Sequence, residues 1–153
     1  MTHEDYMRQA LLLAEQAKQA GEVPVGCVVV WQDRIIGRGR NRREEDCDAL
    51  AHAELIAIRE ACAAAGGWRL SGAKLYVTLE PCPMCAGGII NARIPEVYYG
   101  ARDDAAGACG SVLNLFEERF HHKPKLVGGI LAEECAGLLR DFFQTVRGGR
   151  QNP

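Results

Sequence analysis

Glu80-Pro81-Cys82-Pro83-Met84-Cys85 closes one kind of sequence and opens another. Before it, Lys74 to Leu79, with Tyr76, Val77 and Thr78 at its centre, reads as a strand. After it, an apolar run to about Ala92 reads as a helix, with Pro81 in the first turn, where its missing N–H costs nothing. Cys82 and Cys85, three apart, then share one helical face. Upstream, Ala51 to Ala65 reads as another helix, stopped by Gly66-Gly67, and it begins with His52-Ala53-Glu54. His52 and Glu54 are two apart and would diverge in mid-helix, so both reach one site only from the first turn. Two helix N-termini are therefore expected to meet, and their N–H groups suit thiolates.

His52, Cys82 and Cys85 make three metal ligands, one fewer than a structural zinc site uses. A catalytic zinc keeps its fourth position open and lowers the pKa of a bound water to about 7. Glu54, two residues past the histidine, is placed to move protons rather than to bind metal. Histidine, two cysteines and such a glutamate match the signature of hydrolytic zinc deaminases. Those enzymes add water to an aromatic C=N carbon and expel ammonia, and a carboxylate beside the water can carry the protons. Two plainer readings compete. Cys82 and Cys85 could form a redox pair, or a structural site could recruit Cys47 or Cys109 as a fourth ligand.

At 153 residues the chain fits one domain, residues 1–153. Seven cysteines, with a polar start from Met1 to Gln9 and no apolar run of about 20 residues, point to a reducing cytoplasm without a membrane span. Cys27, Cys62 and Cys135 read as small core residues. A net charge of −2 excludes a globally basic nucleic-acid binder. Locally, Arg34, Arg38, Arg40, Arg42 and Arg43 cluster, and Arg140, Arg147 and Arg150 mark the C-terminal helix and tail. These could hold phosphates, or form a solvated face neutralised by Glu44, Glu45, Asp46 and Asp48.

The remaining elements follow from pattern. Thr2 caps a first helix with Asp5 in its first turn and an apolar stripe of Tyr6, Ala10, Leu13, Ala14 and Ala17, ended by Gly21. Val23 to Trp31 and Arg34 to Arg40 form a hairpin about Gln32-Asp33. Val97 to Tyr99 and Lys125 to Leu131 are further strands, Ser111 to Phe120 adds a helix, and Ala132 to Arg147 closes the chain with Leu138, Leu139, Phe142 and Phe143 on its apolar side. The order implies an α/β fold: three layers, α/β/α, about a central five-stranded mixed sheet, with the metal beyond the strands' carboxyl ends.

The wording around the ligands narrows the family. Pro24-Val25-Gly26, Asn41, His52-Ala53-Glu54, Thr78-Leu79-Glu80-Pro81-Cys82, Met84-Cys85-Ala86-Gly87, Gly100-Ala101-Arg102-Asp103 and Asp141-Phe142-Phe143 together resemble the bacterial tRNA-specific adenosine deaminases of the cytidine/deoxycytidylate deaminase superfamily, over about Tyr6 to Arg147. The resemblance implies the cytidine deaminase-like fold and one Zn2+ per subunit. It implies hydrolysis of adenosine to inosine at the tRNA wobble position, typically in an arginine tRNA with anticodon ACG. The implied partners are the tRNA anticodon stem-loop and a second copy in a homodimer. It further implies that Asn41 binds the base, Val25 walls the pocket, Ala53 offers a backbone contact, and Asp103 lies beside a ribose.

From chemistry alone Asn41 reads equally as a base-edge amide or a turn asparagine. Phe142 and Phe143 could stack bases, or at least one could belong to the core. Asp103 and Asp104 alone read as solvated loop residues. One departure from the family is visible: Asp48-Ala49-Leu50 stands where Asp-Pro-Thr is common, which implies a looser loop before His52. A guanine or other free-nucleobase deaminase and a non-catalytic zinc-stabilised RNA-binding subunit are the alternatives. Glu54 argues against the second.

Overall fold

The computed structural model describes residues 1–149; Arg150, one of the arginines marked above, lies outside them. Helix α1 (His3–Gln19) begins in a reciprocal cap, Thr2 accepting from the Asp5 N–H and Asp5 from the Thr2 N–H. Then follow β1 (Gly26–Trp31), β2 (Arg34–Arg40), α2 (Ala53–Ala65), β3 (Lys74–Leu79), α3 (Pro83–Asn91), β4 (Glu96–Ala101), a 3-10 turn at Leu115–Glu117, β5 (Lys125–Val127) and α4 (Ala132–Gly149). The strands form one mixed five-stranded sheet in the order β2-β1-β3-β4-β5. The β1 pairings are antiparallel, and β3-β4-β5 are parallel. No helix among the described residues is long and apolar enough to cross a membrane.

Both sheet faces are covered, and β1 shows why its sequence is apolar without alternation. Cys27 and Val29 face a cluster with Ala53 and Ala57 of α2 and Ile89 of α3. Val28 and Val30 face Tyr6, Met7 and Ala10 of α1, in a cluster that also takes Cys135 of α4. Cys27 and Cys135 are core residues as expected, while Cys62 is half-buried. Close approach sets where α2 begins: a Cβ on Gly39 would lie 2.2 Å from the Ala53 carbonyl oxygen, and one on Gly37 equally near that of Ala57. Two glycines in β2 thus let α2 lie almost on the strand, with its N-terminus at the carboxyl end of β3.

Several boundaries differ from expectation. β1 starts at Gly26, because Pro24 has no N–H and the Val25 N–H closes a tight turn onto the Val23 carbonyl. α2 and α3 begin at Ala53 and Pro83, so His52 and Cys82 are the N-cap residues, and the first-turn proline is Pro83 rather than Pro81. Cys82 and Cys85 therefore do not share a helical face: one sits before the helix and the other in its first turn. β4 is longer than Val97 to Tyr99, and β5 stops at Val127. There Gly128 packs against the Tyr99 ring and Gly129 takes φ +89. Ser111 to Phe120 forms only the short 3-10 turn; Val112 and Leu113 are exposed and Phe116 alone is buried, so the segment has no apolar helical face.

Candidate metal centre and cleft

Neither N-cap side chain makes a capping hydrogen bond, so His52 and Cys82 are free to turn toward one another across the two helix starts. The His52 Nδ1 lies 3.6 Å from the Cys82 Sγ and 3.5 Å from the Cys85 Sγ. All three ligand atoms fall within 4.8 Å of one another. A tetrahedral zinc with ordinary Zn–N and Zn–S bonds separates such atoms by roughly 3.5–3.8 Å. The donor set and its spacing fit zinc. Among the described residues, neither Cys47 nor Cys109 joins the group, which leaves it three-ligand and open rather than closed and structural.

The local chemistry is that of a soft metal site. Hydrogen bonds with Cys85 and His52 hold the Cys82 thiol down at about 4, and its bond to Cys82, with burial, pushes the Cys85 thiol up. The hydrogen bond with Cys82 raises His52 above its ordinary value. Glu54, in the first turn of α2 and 4% exposed, has its carboxyl pushed up to about 7 by burial. It lies at the wall of a cleft of about 850 Å³, shared with His52, Cys82, Val25, Asn41 and Asp103. A second groove of about 520 Å³ adjoins it and also takes in Asn41 and Arg43, then runs under Phe142 and Phe143.

The residues named from the resemblance are thus all at the cleft except Ala53. That residue is fully buried behind it, and its N–H donates to the Asn41 Oδ1 at 2.9 Å. Asn41 reaches across the fold rather than turning its own backbone: its oxygen accepts at the start of α2, and Nδ2 makes no hydrogen bond among the described residues. Asp103 Oδ1 accepts from the Ala105 and Ala106 N–H groups, a tight turn of the loop. The arginine cluster divides. Arg40 pairs with Glu45 and Arg42 with Asp46, whereas Arg43 lines both grooves with no ion pair among the described residues. Phe142 and Phe143 meet edge to face at 5.3 Å, and neither is buried in the core. The Asp48-Ala49-Leu50 segment is not loose: Asp48 accepts from the Leu50 N–H, and the Arg42 N–H binds the Ala51 carbonyl.

Two buried carboxylates were missed from sequence. Glu22 accepts from the N–H groups of Glu44 and Glu45, holding the loop that carries Arg43. Glu80 holds the loop after β4. Glu80 stands in the motif beside Cys82, but the only mark of its role is an acidic residue between a buried strand and Pro81.

Known proteins resemble the chain along its length. The family model of the cytidine and deoxycytidylate deaminase zinc-binding region matches residues 1–101. A tRNA-specific adenosine deaminase of Bacillus subtilis (strain 168) is 49% identical over 149 residues, covering 96% of this chain and 92% of that protein. A structure solved in studies of A-to-I editing by tRNA:A34 deaminases at the wobble position of transfer RNA superposes with TM-score 0.86 at 46% identity, over 88% of this chain and 99% of that one. A guanine deaminase from Bacillus subtilis is more distant, with TM-score 0.66 and 33% identity over 97% of this chain and 95% of that one.

Proposed function

The chain belongs to the zinc-binding cytidine and deoxycytidylate deaminase family, and we propose that, as a single domain over residues 1–153, it hydrolyses adenosine to inosine at the wobble position of a tRNA anticodon. The observation that carries the reading is the cleft. It runs on from the open three-ligand centre into the groove under Phe142 and Phe143, far more room than one nucleobase needs and enough for flanking nucleotides. A free nucleobase needs no second groove.

His52, Cys82 and Cys85 hold the zinc, which when bound supplies the Lewis acidity that makes water a nucleophile near neutral pH. Glu54 takes a proton from the attacking water, delivers it to the ring nitrogen N1, and later protonates the departing amine; adenosine and water become inosine and ammonia. Asn41 Nδ2 is the donor offered to the purine edge, Val25 supplies an apolar wall, and Ala53 supports Asn41 from behind. Arg43, which lines both grooves, suits the phosphates between extruded nucleotides. The protein works as a homodimer in the cytoplasm, and exposed Val112, Leu113 and Phe120 leave apolar surface for the second copy.

Incubation with an anticodon stem-loop bearing ACG should convert the wobble adenosine to inosine, read by sequencing. Free adenosine, guanine and cytidine should be turned over negligibly, and binding should weaken steeply with salt as counterions are released. Xanthine formed from guanine at a comparable rate would overturn the reading in favour of a free-base deaminase.

Asp103 is proposed to face a ribose. Its Oδ1 is taken by the turn, and Oδ2 can accept a 2′-hydroxyl hydrogen bond, the group that separates RNA from DNA. Asp103→Asn keeps the turn acceptor and removes the charge. The ratio of initial rates on RNA and DNA stem-loops should therefore fall, with Asp104→Asn as control. An unchanged ratio returns Asp103 to a turn residue alone.

A further inference from the structure

Glu80 stands at the carboxyl end of β3, one residue before Pro81 and two before Cys82, and is 2% exposed. It is not in the group of potential metal ligands. Its Oε1 accepts from the Asp103 N–H at 3.1 Å and from the Ser111 hydroxyl at 2.5 Å. Its Oε2 accepts from the N–H groups of Cys109 and Ser111, both at 3.0 Å. All four donors belong to one loop, which leaves β4 and reaches the 3-10 turn at Leu115 without regular structure.

That loop forms one wall of the cleft through Arg102, Asp103, Asp104, Ala105 and Ala106. It surrounds the carboxylate so closely that a Cβ on Gly107 would lie 2.3 Å from the Glu80 Oε2. Arg102 extends the network by donating from Nε to the Ser111 Oγ. A buried carboxylate with four charge-assisted hydrogen bonds is strongly held, and without it the same N–H groups would lack partners.

We propose that Glu80 is a positioning residue for the substrate: its carboxylate ties the Arg102–Ser111 wall to the peptide that carries Cys82, so that the ribose side of the cleft and the metal centre are set as one unit. The kinetic consequence rests on the deaminase reading above, whereas the structural consequence does not.

Glu80→Gln tests it. An amide offers one acceptor oxygen and turns its NH2 toward N–H donors, so part of the set is lost at almost unchanged volume. Bound zinc and overall secondary structure should stay as in the wild type. Amide hydrogen exchange at Asp103, Cys109 and Ser111 should accelerate by at least about ten-fold while the β3 amides keep their protection. KM for the stem-loop should rise about ten-fold with kcat changed less than about three-fold. Gly107→Ala, whose Cβ would press on the Glu80 carboxylate at 2.3 Å and on the Asp103 carbonyl at 2.5 Å, should give the same split, and Ser111→Ala a smaller one. Wild-type exchange and KM in both Glu80→Gln and Gly107→Ala would overturn the proposal. If Glu80→Gln does not fold, unchanged exchange and KM in both Gly107→Ala and Ser111→Ala would overturn it equally. A wild-type enzyme inert on the stem-loop would instead sink the tRNA reading, and amide exchange would still decide the clamp.

Discussion

In Glu54→Gln, turnover of the anticodon stem-loop is expected to fall by about 10²- to 10⁴-fold, the range that general acid–base catalysis contributes, with zinc retained at one per chain. The reason is positional. Glu54 lies in the first turn of α2, two residues after a metal ligand, yet takes no part in the ligand group. Glutamine has the same shape and can still hydrogen-bond, but it cannot accept a proton from water and return it to a ring nitrogen. The 4% exposure of the side chain makes the charge costly, so the neutral variant should fold at least as stably. The loss should appear in kcat, since substrate binding does not require the proton transfer. Zinc analysis, thermal melting and single-turnover kinetics together check this. A variant turning over within about ten-fold of wild type would remove Glu54 from the proton path.

The grouping of His52, Cys82 and Cys85 is legible in the sequence because a potential metal site depends on side-chain type and on backbone position at a helix start. Both leave marks: a histidine and cysteines beside strand ends and prolines. The helix starts lie later than the pattern implies, since His52 and Cys82 cap α2 and α3 rather than belonging to them. The strands of the sheet interior are equally plain, because β1 and β3 are buried on both faces: β1 carries nothing charged, and β3 is apolar or aromatic but for Lys74 and Thr78.

The cleft walls were not legible, and the cause is physical. The partners of Glu80 and Glu22 are backbone N–H groups, which any residue but proline supplies, so no residue type announces the contact. The same fact explains the helix expected over Ser111 to Phe120. The Leu115 and Phe116 N–H groups, where intrahelical bonds would be due, go instead to the Ala108 carbonyl and the Asn114 side chain, while Val112 and Leu113 face outward. β5 is shorter than the expected Lys125 to Leu131 for another local reason: at Gly128-Gly129 the Tyr99 ring and a left-handed backbone break the strand.

Cys85→Ala should lose the zinc, all measurable deamination and a large part of the thermal stability together. Cys85 is fully buried in the first turn of α3, with its sulfur 3.5 Å from the His52 Nδ1. Removing it leaves two ligands, His52 and Cys82, too few to retain zinc against competing chelation. A ligand bound only by the folded state, at a thousand times its dissociation constant, stabilises by about 4 kcal/mol, and that contribution disappears with the site. For a chain of this size, about 2–4 °C accompanies each kcal/mol, so the melting temperature should drop by roughly 8–16 °C. The core on both sheet faces remains, so the variant should still fold, unlike a zinc finger stripped of metal. Two comparisons separate metal loss from a simple packing defect. Cys135→Ala, at a buried cysteine on the opposite sheet face, should keep one zinc per chain and melt only modestly lower. A strong chelator should lower the melting temperature of the wild type toward that of Cys85→Ala and leave the variant itself unmoved. If Cys85→Ala kept stoichiometric zinc, or if its melting point still responded to the chelator, the ion would be held by a different set of residues from His52, Cys82 and Cys85.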